Sequence, residues 1–596
     1  MKRTPVLALM VFLAALFTAL PRPVAAQDVD QDPPGRVARL NYVQGSVSYQ
    51  VSGDQNWVDA DVNRPLTTGD NLWADQDSRG EVHIGSTAIR MDSMTGISFL
   101  TLDDRTVQLQ LAQGTIEIHV RRLAPGEAFE IDTPNLSFTL TRSGEYRVQA
   151  DPNGDFTQIV VREGEGQVTG AGDSWDLGPG QAYEFRGADQ LSYNADAAPG
   201  FDDFEDWCQS RDARENSSAS ARYVSRDVDG YYDLDDYGDW QADADYGEIW
   251  VPRGVAAGWV PYQLGHWVYI APWGWTWVDN EPWGFAPFHY GRWVSVNGYW
   301  GWVPGPVVVR PIYAPAMVAF VGGGGFGVSV GFGSFAGVAW FPLGPRDVYV
   351  PGFHASPHYF QTINVTNTRL VNATQVTSVY NTVIVNHNAA IVNNYTYARN
   401  AAAVTAVSRD TFVNARPVAA AAVRVTPQQI QNVRPIDTAP IAPTRTSYVA
   451  ANAKVATARP SVPFAQRPIV ARLNPAASRP VYTNDSREFN SPESATRTGS
   501  QTQGNTQPSR DGFRPFTPSS GANSNNRGNT NVNASQPNNQ QSNVRLTPPP
   551  KARDEMYDVH PPLNQNQNQN ERQAQPPKQE ERHSPPPKAE NNKKDK

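Results

Sequence analysis

Asp279 and Glu281 are two carboxylates two residues apart behind a tryptophan-dense stretch. They are the residue types of a glycosidase pair, one to protonate a leaving oxygen and one to attack or to activate water. Proximity within one turn does not supply the separation that a sugar ring demands, so this chemistry is not the expectation. Gly327-Val328-Ser329-Val330-Gly331 has nucleophile-elbow spacing, and Gly322-x-Gly324-x-x-Gly327 has the dinucleotide fingerprint. Both devices need a strand turning into a helix, and Gly331, Gly333, Gly337 and Pro342 oppose such a helix. For metal, His354-x-x-x-His358 and the isolated His266 and His289 are the only suggestions, and Pro357 denies the helix that would align the first pair. No catalytic residue, metal or cofactor is therefore expected.

The tryptophans allow a different chemistry. Indole faces stack on sugar rings, so Trp267, Trp275, Trp277, Trp283, Trp293 and Trp302 form a candidate ligand-binding set. Asp279 and Arg292 would supply hydrogen bonds, and the ligand would be an envelope polymer such as wall glycan. The same indoles could instead build the core of a small β domain that has no disulfides, since each aromatic buries roughly 150–250 Å². Most are expected to be core; a few exposed ones would suffice for binding.

These residues must be held by β structure. Trp-Val-Pro recurs at Trp250, Trp259 and Trp302, and Gly265-His266-Trp267-Val268 is echoed by Gly291-Arg292-Trp293-Val294. Such repetition predicts short antiparallel strands with one tryptophan placement repeated per strand. Earlier, from Val37 to about Arg186, alternating apolar residues with Gly, Asn and Asp between them predict an all-β domain. Val107–Leu111 and Thr115–Val120 read as two of its strands, and Asp151–Asp155 as a hairpin turn. Phe201, Phe204, Trp207 or Cys208, and Arg211 fall at helical steps and predict a short helix. The acidic stretch from Asp227 to Glu248 fits no calcium loop and reads as solvated or arginine-paired carboxylates.

The first β region resembles the FecR family. The residues concerned are Val37-Ala38-Arg39-Leu40 with Gly45-Ser46-Val47, Leu66-Thr67-Thr68-Gly69-Asp70 and Asp77-Ser78-Arg79-Gly80-Glu81-Val82. Ile131-Asp132-Thr133-Pro134 and Gly144-Glu145-Tyr146-Arg147-Val148 complete the series. The resemblance implies a periplasmic β domain of the kind found in regulators of iron-uptake sigma factors. Those regulators carry a cytoplasmic segment and a membrane helix, in place of which this chain has a leader. From Phe201 to Pro351 the chain resembles a Trp-rich bacterial domain of unknown function that often follows a FecR domain. Its marks include Trp273-Gly274-Trp275-Thr276-Trp277-Val278-Asp279 and Gly284-Phe285-Ala286-Pro287-Phe288-His289-Tyr290-Gly291-Arg292-Trp293.

Composition sets the address. Lys2 and Arg3, an apolar run to Leu20 and Val24-Ala25-Ala26 form a signal-like leader with cleavage expected near Ala26-Gln27. No later run suits a membrane span. Fifty basic against 59 acidic residues give a net charge of −9, which argues against nucleic acid as partner. Between Lys2 and Lys454 every fixed cation is an arginine. Cys208 is the only cysteine, so no disulfide forms within the chain; a half-buried thiol is expected.

The expected architecture is mainly β, with two antiparallel β domains, a short connecting helix and a long disordered C-terminal tail. Its divisions are 1–26 leader, 37–190 FecR-like domain, 191–248 helix and acidic connector, 249–362 Trp-rich domain, 363–440 Asn/Thr/Ala-rich extension and 441–596 tail. The tail is rich in Pro, Asn and Gln and cannot offset ordering entropy with apolar burial. The expected function is that of an exported, non-enzymatic protein of a Gram-negative envelope, periplasmic or secreted, that binds or scaffolds an envelope polymer or protein. Periplasmic signalling and wall-glycan hydrolysis are the alternatives.

Overall fold

A computed structural model describes residues 32–308, 310–322, 330–332, 335–385, 394–431, 434–439, 441–449, 453–461, 463 and 467–476. The leader, the centre of the glycine-rich motifs and the Pro548–Pro550, Asn564–Asn570 and Pro585–Pro587 runs lie outside the described residues.

Seventeen strands between Ala38 and Ala197 build the first domain around one apolar core containing Leu40, Val82, Ile89, Phe99, Leu109, Ile118, Ile131, Phe138 and Val148. The two strands expected at 107–111 and 115–120 are one, Thr106–Val120. Its first half pairs with Thr95–Leu102 and Ala128–Asp132, and its second half with Thr87–Met91 and Gly144–Ala150. The strand thus passes from one sheet to the other. Val107, Leu109 and Leu111 face the core before the crossing and Ile116, Ile118 and Val120 after it, so the alternation slips by one residue. Gly114 sits at the slip with φ +92°, where a Cβ would meet the backbone of Thr95 and Met94. The turn at Asp151–Asp155 forms as expected, with the Gly154 N–H donating to the Asp151 carbonyl at 2.9 Å.

The tryptophan repeats become cross-strand rows. Gly238–Asp243, Gly247–Pro252, Tyr299–Val303 and Arg292–Val296 form a four-stranded antiparallel sheet. Trp240 pairs with Trp250, Trp250 with Trp302, and Trp302 with Trp293. Gly265–Ile270 and Gly274–Asp279 form a hairpin that sets Trp267 opposite Trp277. The composition boundary at 362 is not a structural one. Thr405–Ser408 and Arg434–Ile436 add to the sheet of Val318–Gly322 and Phe335–Pro342. Phe412 and Ile441 enter the same core cluster as the tryptophans. A polar-looking extension is retained because its few apolar side chains complete a core the Trp-rich segment cannot close by itself.

Between the domains lies the helix Asp203–Asn216. The Asp202 carboxylate caps it, accepting from the Phe204 and Glu205 N–H groups at 3.1 and 2.9 Å. Phe204 and Cys208 are buried; the thiol is fully enclosed rather than half-buried, and burial pushes its pKa up. Among the described residues no helix is long and apolar enough to cross a membrane.

Candidate functional site

The structure places the eight candidate ligand-binding side chains inside the protein. Trp267, Trp275, Trp277, Trp283, Trp293, Trp302, Asp279 and Arg292 are each at most 4 % exposed. Their indole faces meet other rings: Trp267 lies edge-on to Trp277 and Trp340 with centroids 5.4 and 5.3 Å apart, and Trp283 stacks on Phe288 at 5.6 Å. A sugar-stacking platform requires bare faces, and these are covered. The reason is geometric: paired strands bring successive tryptophans onto one face, and a row of indoles is apolar enough to draw the neighbouring segments over it.

The polar candidates are equally committed. Asp279 accepts from the Trp277 indole N–H at 2.9 Å and from the Glu281 N–H at 2.9 Å, and burial pushes its pKa well up. Arg292 donates to the carbonyls of Gly291 and Asp347 and to Asn364 Oδ1, and burial lowers its pKa to about 10. His289 faces the Ala314 carbonyl at 2.8 Å, and burial lowers its pKa to about 3. These groups hold backbone and tune nothing that solvent or substrate reaches.

Two other places carry concentrated polar chemistry, one over each polar outer face of the first domain. The first is an arginine–carboxylate clamp under the helix. Arg90 donates through both Nη atoms to Asp212, at 3.0 and 2.8 Å, and through Nε to Glu81 at 2.9 Å. Arg211 adds two bonds to Glu81 at 2.7 and 2.8 Å, and Arg121 and His119 reach Asp212. Arg39 extends the clamp across the whole body, donating to Asp233 of the connector, to Asn63 and to the Pro282 carbonyl in the Trp-rich segment. Asp227, Asp236 and Asp239 of the acidic stretch also meet arginines, Arg122, Arg214 and Arg253. His119, Glu145 and Asp212 have the spacing of a cation site, but Arg90 and Arg121 already occupy Asp212, so the residues present do not suit a cation.

The second place is on the opposite sheet. Alternation aims Gln108, Glu130, Asp132 and Thr139 away from the core on neighbouring strands, with Glu130 opposite both Gln108 and Thr139. Glu130 and Asp132 are nevertheless fully buried. Residues 467–476 lie over them: the Arg472 and Leu473 N–H groups donate to Glu130 Oε1 at 3.1 and 2.8 Å. Gln108 Nε2 donates to Asp132 at 2.7 Å and to the Leu473 carbonyl at 3.1 Å. The Val470 N–H donates to the Thr133 carbonyl at 2.9 Å, and the Ala476 N–H to Thr101 Oγ1 at 3.0 Å. Composition assigned all of 441–596 to a disordered tail. Residues 453–461 and 467–476 instead pack on the first domain, because backbone donors of the latter find buried carboxylates and Ala456 and Ala458 pack with Trp57 and Trp73. Nothing in the local sequence of either partner marks this meeting; an acidic pair on an otherwise outward strand face was the one available hint.

Three buried carboxyls set a pH dependence. Burial, reinforced by Glu205, pushes Glu117 up to about 8, and burial pushes Asp229 up to about 7. Burial and the neighbouring Glu130 raise Asp132 as well. Each holds its proton more tightly folded than unfolded, so its stabilisation is complete below about pH 4 and is lost as pH rises through about 7–8. Glu81 and Asp212 act oppositely. Burial would raise both, but the bonds from Arg211 and His83, and from His119 and Arg90, outweigh it and hold them low. Their contribution is lost only in strong acid. The depressed His289 opposes these carboxyls below about pH 6.5, so the thermal midpoint should fall between about pH 6.5 and 8.5, where only the carboxyls act, and Glu117→Gln should flatten that fall. A midpoint that climbs over the same interval contradicts this reading.

Residues 231–347 match the model of a family of unknown function (DUF6600). No curated protein matches the chain. Two crystal structures of a proposed anti-sigma factor from Parabacteroides distasonis align with 14% identity over 22% of this chain and 59% of theirs, at a TM-score of 0.20. The aligned part thus spans under two thirds of that protein, and a likeness this slight supports no argument about fold or role.

Proposed function

We propose that this protein is an exported, non-enzymatic binding or scaffolding component of a Gram-negative cell envelope, with a FecR-like first domain. One observation supports the reading most directly: the polar groups at the junction of the two β regions are spent on the Arg39, Arg90 and Arg211 clamp, which fastens the body together. A scaffold needs such rigidity, whereas catalysis needs reactive groups that a substrate can reach. The leader read at 1–26 supports export. The all-arginine cation set suits the role too, since guanidinium groups bridge two carboxylates at once where an ammonium cannot.

The test is co-sedimentation of the full-length protein with purified peptidoglycan sacculi and with outer-membrane vesicles. Retention on one of them without release of soluble wall fragments is the expected result, and Asp279→Asn with Glu281→Gln should leave it unchanged. Wall turnover that disappears in that double variant would replace the proposal with a hydrolase. Failure to be retained on either would remove the envelope-binding role.

A further inference from the structure

We propose that the outer sheet face around Glu130 and Asp132 is a recognition groove for an extended, arginine-bearing peptide, and that residues 467–476 are its resident, exchangeable occupant. The inference rests on the binding role above and names a site and a ligand class for it.

Four observations carry it. The occupant is anchored through its main chain: Val470 makes one antiparallel bridge to Thr133, and the Arg472 and Leu473 N–H groups donate to the Glu130 carboxylate. Main-chain bonds of this kind accept many sequences, with side-chain pockets supplying the selectivity. The groove's side chains are tied to one another, since Thr101, Gln108, Glu130 and Thr139 form a hydrogen-bonded row across four adjacent strands. The charges are complementary. Arg472 reaches Glu130, while Arg467 donates to Gln113 and to the carbonyls of Ala112 and Pro152.

The last observation concerns strength. Between 467 and 476 no described residue is buried; Arg467, Ile469, Val470 and Leu473 are partly covered and the others are exposed. The segment is thus held by hydrogen bonds and charge with little apolar area, unlike the Phe412 and Ile441 segments that sit in a core. Net hydrogen-bond contributions in water are modest, so such an occupant can leave without unfolding what it covers. Its departure would expose Glu130 and Asp132, two adjacent carboxyls with no fixed cation on their own strand, and that exposed pair selects an incoming guanidinium. The groove therefore favours an arginine-bearing segment of another exported protein, which would compete with the strap.

The experiment uses full-length protein and a fluorescent synthetic peptide of residues 467–476. Val470→Pro removes the N–H that bonds Thr133 and bars strand pairing, at a site outside either core. Freeing the groove this way should tighten peptide binding by about tenfold or more over the parent chain, because affinity scales with the fraction of grooves left open. Adding Glu130→Gln to the Val470→Pro chain should abolish that gain. Hydrogen exchange at the Arg472 and Leu473 amides should be slow in the parent and fast in Val470→Pro, a reading that does not need the Glu130 variant to fold. Equal peptide binding by parent and Val470→Pro, or binding by neither, overturns the proposal. Loss of envelope retention with peptide exchange intact would discard the envelope reading and leave the groove standing; the converse discards the groove alone.

Discussion

Replacing Arg90 with alanine should destabilise the folded body by about 3 kcal/mol or more, since removing one member of a buried ion pair leaves charge without a counterpart. The side chain is 1 % exposed and serves two carboxylates on different elements, Glu81 of the first domain and Asp212 of the helix. Arg211 still attends Glu81 after the substitution, and Arg121 and His119 still attend Asp212, which keeps the loss from the upper end of such values. Arg90→Lys should recover only part of it. An ammonium cannot make the two parallel bonds to Asp212 while also reaching Glu81. Guanidinium denaturation followed by tryptophan emission measures both variants. Because the helix links the β regions, Arg90→Ala should also make the Asp203–Asn216 amides exchange faster than those of the Thr106–Val120 strand. A loss below about 1 kcal/mol would show that the pair merely balances its own desolvation.

Trp277→Ala should cost a further class of energy, about 3–5 kcal/mol, from lost burial and from the cavity left behind. Trp277 is fully buried, edge-on to Trp267 at 5.4 Å and to Tyr262 at 5.8 Å, and its indole N–H serves Asp279. Trp277→Phe keeps much of the ring but strands that carboxyl, so its cost should fall between parent and alanine. Any ligand binding lost in Trp277→Ala should be lost together with the folded state and should return in a background restabilised elsewhere. Loss of binding at full stability would reinstate the indoles as a ligand surface.

Much of the fold was legible. The alternation that begins at Val37, the turn at Asp151–Asp155 and the Phe204–Arg211 helical steps all correspond to elements, because each is fixed by a local period or by turn chemistry. The repeated Gly-x-Trp-Val phrases are the starts of paired strands, as their spacing implied. The long strand Thr106–Val120 was misread as two because its alternation slips at Gly114, and only the presence of two sheets makes that slip continuous. The candidate ligand set failed on a different point. Spacing placed Trp267, Trp277, Trp293 and Trp302 on shared faces, but it carried no information about which neighbouring segment would close over those faces.

The sequence by itself thus determined the β periodicity, the tryptophan rows, the all-arginine cation supply and the single unpaired thiol, since these are properties of neighbours along the chain. The tertiary structure alone decided which polar faces are covered and by what. Arg39 meets Asp233 and Pro282, and Glu130 meets Arg472, across separations of 194, 243 and 342 residues. A charged residue on an outward strand face reads the same in sequence whether water or another segment lies above it. Its burial depends on the free energy of closing a long loop against a few hydrogen bonds and a guanidinium, a balance struck only when both segments are folded.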